Sequence, residues 1–400
     1  MRYGRAGRRR KQKQRESEDV PVKILDDDVI SLNKWAHDYG LQCDLLQCAT
    51  FKVIMVLGTG RGMLARRNIM KNAEIISVPK KLLITVDTVR SSCIGHLVVR
   101  LLHEFKQFGV HISLTMFLLH EKSLGIKSFW LPYLNTLPET FTTPAYLPDE
   151  QLTTLPVMLK DKVSEQIEIL VAFYKAVHNI WMEEQGHCYS YEQFRWAWFA
   201  VNTRCVYLDS REKQMALIPV LDMLNHSAAT EVQAGLYGDV YQIKIKQACR
   251  KGKQVFINYG PHDNIKLWME YGFTIPSNPH AVAHLNLDLL SCTIPKQQEI
   301  LKEQNLTTDL LLSTDGPCWK LLCCLRILCM DYDELLSWKC VLQGVPISER
   351  NEEKVISWIK RIVMKELALV DQALAEVRDQ HVLHICKERK EIILYNMRQF

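Results

Sequence analysis

The chain has 400 residues, 48% hydrophobic and 24% charged, a profile that suits a globular protein of two domains or of one domain with a large insertion. No apolar run approaches bilayer-spanning length, and thirteen cysteines without framework spacing argue for reduced thiols in cytosol or nucleus rather than a secreted disulfide module. The net charge of +5 is concentrated at one end: residues 1–15 carry eight Lys and Arg and no acid, so the rest of the chain is about −3 and offers no broad basic footprint for nucleic acid.

The leader Arg2–Arg15 has little to bury and is expected to be disordered, a solvated tail or a nuclear-import signal. Glu16, Glu18 and Asp19 follow it in place of an apolar segment, so no signal peptide is expected. Asp26–Asp28 before Ile30, Leu32, Trp35 and Ala36, with Gly40 behind them, predict a short helix. Between Phe51 and Thr85 the runs Phe51–Leu57, Ile75–Val78 and Leu82–Thr85 read as strands, separated by a glycine-rich turn, Lys71-Asn72 and Pro79.

Residues 113–200 read as mainly helical. Val163, Ile167, Leu170, Tyr174, Val177 and Trp181 share one helix face, which Gly186 ends, and Ser190 with Gln193 resembles a capping box that opens the next helix. Strand texture returns at Ala216–Val220, Val240–Ile245 and Gln254–Tyr259. After Pro276 and Pro279 the chain reads as helical to its end, with a stripe from Val355 to Val377. Cys318, Cys323, Cys324 and Cys329 lie in an apolar helical run without paired CxxC spacing, so they read as core and no metal site is expected.

Four polar or glycine-rich segments interrupt this apolar texture. Gly58-Thr59-Gly60-Arg61-Gly62 lets backbone groups approach a ligand, or makes a tight turn. Arg204, in Val201-Asn202-Thr203-Arg204, can grip a carboxylate or satisfy helix-end carbonyls. Asp222-Met-Leu-Asn225-His226-Ser227 is a polar knot beside apolar residues, or a capped turn. Phe256-Ile-Asn-Tyr259-Gly260 and Tyr271-Gly272-Phe273 place two tyrosines before glycines, as site groups or as core.

Taken in order, these segments resemble the SET-domain methyltransferases, and among them the group typified by the Rubisco large-subunit lysine methyltransferase. Ser128-Phe-Trp-Leu-Pro-Tyr-Leu134 is similar to that group's helical insertion. The resemblance implies an α+β chain: a β-rich, knotted SET domain over residues 26–275 with a helical insertion at about 90–200, after a basic tail of residues 1–25. An all-α substrate-binding domain over residues 276–400 completes it.

It also implies S-adenosylmethionine as cofactor, held by Gly58, Gly60, Arg61 and Gly62, by Arg204 at its carboxylate, by Asp222, Asn225 and His226, and by Tyr259 beside the methyl group. Tyr259 and Tyr271 would be catalytic, with Val206, Tyr271 and Phe273 lining the acceptor channel. Val206 stands where a histidine-methylating relative carries a polar side chain, which favours lysine. The implied function is methylation of a protein lysine, in a histone or another protein, in nucleus and cytoplasm, without a membrane and with nucleic-acid contact at most through the tail. The alternative is a catalytically silent scaffold of the same fold.

Overall fold

A computed structural model describes residues 21–23, 26–51, 60–186, 188–209, 214–287 and 294–400. They divide into two compact units, with boundaries after Tyr146, Gln166, Pro261, Trp268 and Phe273. The leader and Gly58 lie outside the described residues.

The strands of the first unit are β1 (Pro21–Lys23), β2 (Leu46–Phe51), β3 (Arg61–Ala65), β4 (Glu74–Pro79), β5 (Val206–Asp209), β6 (Gln214–Ala216), β7 (Asn225–His226), β8 (Val232–Tyr237), β9 (Val240–Ile245) and β10 (Gln254–Ile257). They form a five-stranded sheet ordered β1-β2-β3-β10-β7, a three-stranded sheet β4-β9-β8 and the hairpin β5-β6. Among the described residues, all strand pairings of this unit but one are antiparallel. The exception is β7 beside β10, with Asn225 opposite Phe256 and His226 opposite Ile257, which lays two sequence-distant polar segments side by side.

Helix α1 (Asp27–Asp38) starts where the acids predicted: the Asp26 carboxylate accepts from Val29 N, and Asp27 and Asp28 sit at the positive end of the helix dipole. Helix α2 (Gly109–Leu124) is buried almost all round, its apolar residues interrupted by Ser113 and Thr115, whose hydroxyls donate back to the Gly109 and His111 carbonyls. It packs on α4 (Tyr191–Arg204), which opens with the predicted Ser190–Gln193 capping box. Between them runs an aromatic layer: Trp198 lies 4.0 Å from His111 and 5.4 Å from Phe173 by ring centroid, the latter carried by α3 (Val157–Gln185). This layer fixes where the last turn of α4, and so Arg204, emerges.

Local readings need several corrections in this unit. Pro21–Lys23, inside the tail of residues 1–25 expected to be disordered, forms β1 and pairs with β2, and the predicted strand Gln254–Tyr259 ends at Ile257. The first predicted strand, β2, starts earlier than expected, at Leu46, and its described part ends at Phe51; residues 52–57 of the predicted run lie outside the described residues. Leu82–Thr85 is no strand: Lys80–Leu82 is a 3-10 turn, Ile84 makes one isolated bridge to Leu217, and Thr85 caps a following helix through Thr88. The predicted strand Ala216–Val220 stops at Ala216, which lies opposite Val206, the first residue of β5; Leu217 only bridges Ile84, and Val220 leaves extended conformation altogether at φ +71°, which a β-branched residue adopts only under strain.

The second unit is built on α5 (Pro295–Glu303), α6 (Trp319–Cys329), α7 (Glu349–Glu376) and α8 (Gln380–Met397). Its helices are interrupted by a small sheet of β11 (Ala283–His284), β12 (Leu311–Ser313) and β13 (Gly316–Pro317), which the uniform helical reading after Pro279 did not anticipate. Cys323, Cys324 and Cys329 are buried in the apolar core, with burial pushing their thiols up to about 11, 12 and 11 respectively, while the Cys318 sulfur caps α6. The predicted stripe of α7 is likewise buried at Val355, Ile359, Ile362, Val363 and Val370.

Within this core Arg389 donates to Glu366 at 2.6 Å and to the His284 carbonyl at 2.7 Å, so a charge deep in the unit has a full partner. Glu388 is a different case. Burial raises its carboxyl to about 7; the hydrogen bond from Asn264 opposes this, and the neighbouring Asp263 and Glu391 add smaller upward contributions.

The folded state therefore holds the Glu388 proton more tightly than the unfolded chain, and stability from this group declines as pH rises from the ordinary carboxyl range through neutrality. Glu388→Gln should consequently gain melting temperature relative to wild type as pH goes from about 5 to about 8. A difference between the two proteins that stays flat with pH in differential scanning calorimetry contradicts this.

Candidate active site

Three of the four segments singled out in the sequence meet around the β3, β10 and β7 ends of the five-stranded sheet. Gly62, in β3, is the glycine with a steric reason: a Cβ there would stand 2.6 Å from Asn225 Nδ2, 3.0 Å from Gln254 Nε2 and 3.1 Å from a Phe51 ring carbon. Its absence lets the Asn225 amide donate to the Arg61 carbonyl at 2.9 Å. Gly60 has no such constraint among the described residues. The Arg61 side chain turns to structural partners, donating to the Thr136 carbonyl at 2.8 Å and lying 3.9 Å from Asp26, so what Arg61 presents to Asn225 is its backbone.

The second cluster joins the end of α4 to the 3-10 turn Leu221–Met223. Arg204 Nη1 lies 3.1 Å from Asp222 Oδ2, and the Tyr133 hydroxyl donates to that same oxygen at 2.8 Å. The Asp222 side chain is 1% exposed and that of Arg204 about a fifth (21%), so the ion pair is anchored on the inside and opens on the guanidinium side. Burial pulls the Arg204 pKa down, yet Asp222 and Tyr133 outweigh it and the group stays firmly charged. Asp222 Oδ1 and Arg204 Nε are buried without hydrogen-bond partners among the described residues, leaving one acceptor and one donor available on the pair.

The third cluster is aromatic. The Tyr259 ring lies 5.2 Å from those of His226 and Tyr271 and 6.2 Å from Phe273, and Phe273 lies 6.0 Å from His226 and 6.1 Å from Tyr271. The backbone amide of Tyr259 donates to His226 Nδ1 at 3.0 Å, which places the imidazole proton on Nε2. The Tyr259 hydroxyl donates to the Leu224 carbonyl at 2.7 Å, so its lone pairs point away from that bond. Burial, above all, drives the phenols of Tyr259 and Tyr271 far above their ordinary range; Arg204 opposes this at Tyr259, and Cys205 adds to it at Tyr271. Both hydroxyls therefore stay neutral at any working pH.

Val206, the remaining residue of the sequence-derived set, opens β5 half-buried opposite Ala216. Two residues that sequence reasoning did not assign belong to the constellation. Tyr133 sat within the Ser128–Leu134 run, but nothing in that run foretold its bond to Asp222 across 89 positions. Gln254, 7% exposed beside Gly62, carried no spacing signal at all.

Set against known proteins, residues 60–260 match the SET domain family and residues 292–399 match the family described as Rubisco LSMT substrate-binding. SET domain-containing protein 4 of Mus musculus is 34% identical over 94% of this chain and 90% of its own length. Actin-histidine N-methyltransferase of Callithrix jacchus is 28% identical over 76% of this chain and 53% of its own. The solved SET domain of LSMT bound to lysine and AdoHcy superposes with a TM-score of 0.73 at 21% identity, covering 94% of this chain and 91% of that one, which shows the fold.

Gly62→Ala should overpack the contact between β3 and Asn225 and destabilise the protein by about 1–3 kcal/mol in denaturant unfolding. Gly60→Ala should cost much less. Equal losses at the two positions would refute the assigned close approach.

Proposed function

Since this chain belongs to the SET-domain methyltransferase family, we propose that it transfers a methyl group from S-adenosylmethionine to the side-chain nitrogen of a lysine in another protein. The observation that carries this reading is a buried, partly unpaired Arg204–Asp222 couple close enough to act electrostatically on Tyr259, which stands in a cage of aromatic rings.

The residues fit an amino-acid-bearing cofactor. The Arg204 guanidinium, held by Asp222, would take its carboxylate, and Asp222 Oδ1 offers an acceptor for its ammonium. The Asn225 amide, the His226 ring and the backbone of Gly60–Gly62 would serve the cofactor's remaining polar groups. When bound, S-adenosylmethionine supplies an electrophilic methyl on a sulfonium.

The chain's own residues then have to deliver an uncharged amine in line with that methyl. A free lysine ammonium titrates near 10.4, so it must lose its proton on the way in. The ring cage of Tyr259, Tyr271 and Phe273 would desolvate the ammonium, and the cofactor's positive charge would add to that penalty, so the neutral amine is favoured without a dedicated base. The Tyr259 oxygen, fixed by its bond to the Leu224 carbonyl, offers lone pairs that orient the amine and favour the partial positive charge of the reacting centre. Orientation of this kind can contribute roughly 7–11 kcal/mol through effective molarity.

Lysine is preferred over histidine because Val206 offers no hydrogen bond to an imidazole, although similarity to actin-histidine N-methyltransferase makes histidine the second reading. Histones and other nuclear or cytoplasmic proteins are the candidate substrates, and the basic run of residues 1–15 supports a nuclear location. The family match of residues 292–399 supports a role for the second unit in holding the protein substrate.

Incubation of the protein with isotopically labelled S-adenosylmethionine, cell extract and recombinant nucleosomes, followed by mass-spectrometric mapping, should find label on lysine Nε. Label on histidine nitrogens, or none, would overturn the lysine assignment. Tyr259→Phe should lower the rate about 10²–10³-fold, the usual range for removing one positioned polar group, with folding intact. Wild-type kcat/KM should climb with pH across roughly pH 6 to 9, since the amine and not the elevated Tyr259 phenol titrates.

A further inference from the structure

Tyr271 sits between two hydrogen-bonded anchors that neither its own ring contacts nor the cofactor-side cluster explains. On one side, Asn202 Nδ2 donates to both the Glu270 carbonyl at 2.9 Å and the Glu270 carboxylate at 2.7 Å. On the other, the Thr142 hydroxyl donates to the Gly272 carbonyl at 2.5 Å. Gly272 itself has φ +78°, and a Cβ there would stand 2.6 Å from the Thr142 hydroxyl, so residue 272 must be glycine for this grip to close.

Asn202 stands two residues before Arg204 in the last turn of α4. One helix end thus carries the arginine that pairs with Asp222 and the amide that fixes the peptide unit ahead of Tyr271. The turn is itself held by the buried aromatic layer, where His111 is 7% exposed and neutral, its pKa pulled down to about 3 mainly by burial. The Glu270 carboxylate, with its charge-assisted bond, gives the amide a stronger partner than a carbonyl alone.

We propose that Asn202 and Thr142 are positioning residues for methyl transfer: acting through Glu270 and Gly272, they clamp the backbone on both sides of Tyr271 and hold its ring 5.2 Å from that of Tyr259. This rests on the reading of the aromatic cage as the acceptor channel. Neither residue touches the reacting atoms in this scheme. Their effect comes from geometry, where displacement of a site group by about 1 Å can cost of the order of 10²-fold in rate.

Asn202→Ala removes both bonds to Glu270 and leaves a small side chain in place. The clamp predicts faster amide hydrogen exchange confined to residues 268–274, unchanged protection of residues 191–204 and 225–226, and affinity for S-adenosylhomocysteine by calorimetry within about twofold of wild type. With the acceptor peptide mapped in the labelled extract, kcat should fall at least about tenfold while KM moves less than about twofold, and Thr142→Val should do the same. Glu270→Gln, which keeps an acceptor for the Asn202 amide, should restore most of the rate lost in Glu270→Ala.

Unchanged exchange at residues 268–274 would overturn the clamp. So would a parallel loss of melting temperature, cofactor affinity and rate, which marks a merely structural role. If wild type transfers no methyl group, the functional reading fails, while the exchange and affinity measurements still decide whether the clamp exists.

Discussion

A carboxylate that cannot stay buried alone organises this site. Asp222 is 1% exposed, and an isolated ion at that depth is costly unless it is both paired and hydrogen-bonded. Arg204 supplies the charge and Tyr133 the hydroxyl, and these partners come from the end of α4 and from the insertion. Satisfying one carboxylate therefore ties three distant stretches of chain together. The strained Val220, at φ +71° just before the Asp222 turn, is consistent with a loop whose course is dictated by such a tie rather than by local preference.

The parallel pairing of β7 with β10 extends that tie to the chemistry. It sets Asn225 and His226 beside Phe256 and Ile257, so that two residues beyond the pairing Tyr259 can take its amide bond to His226 and its hydroxyl bond to the Leu224 carbonyl. Those bonds hold the phenol in place, and its burial among other rings keeps it neutral. Such a group is a poor base and a good positioning element. It suits a reaction in which the acceptor loses its proton by desolvation and charge repulsion, not by transfer to a strong base.

Much of this was legible in the chain. The capping box at Ser190–Gln193, the acid-led start of α1, the stripe of α7 and the alternation of β9 all rest on local chemistry, and all appear where their spacing puts them. The α+β class, which the family resemblance implied, agrees with the β texture on either side of a helical block. The errors share a cause: at Leu82–Thr85, at Ala216–Val220 and in the small sheet around β12, tertiary bridges and loop constraints decided between conformations that an apolar run permits equally. In the site, the motif residues Arg204, Asn225, His226 and Tyr259 were visible as polar interruptions of an apolar texture. Tyr133 and Gln254 were not, because a tyrosine or glutamine that earns its role by a contact many dozens of positions away leaves no periodic or spacing signature.

On this reading the Arg204–Asp222 couple would anchor the cofactor. Calorimetric titration of S-adenosylmethionine into wild-type protein and into Arg204→Met addresses it directly. Saturable one-to-one binding to wild type, weakened at least about tenfold in the variant through loss of one charge-assisted contact, is the expected result. Absence of binding to folded wild-type protein, or equal affinity in the two proteins, would contradict it.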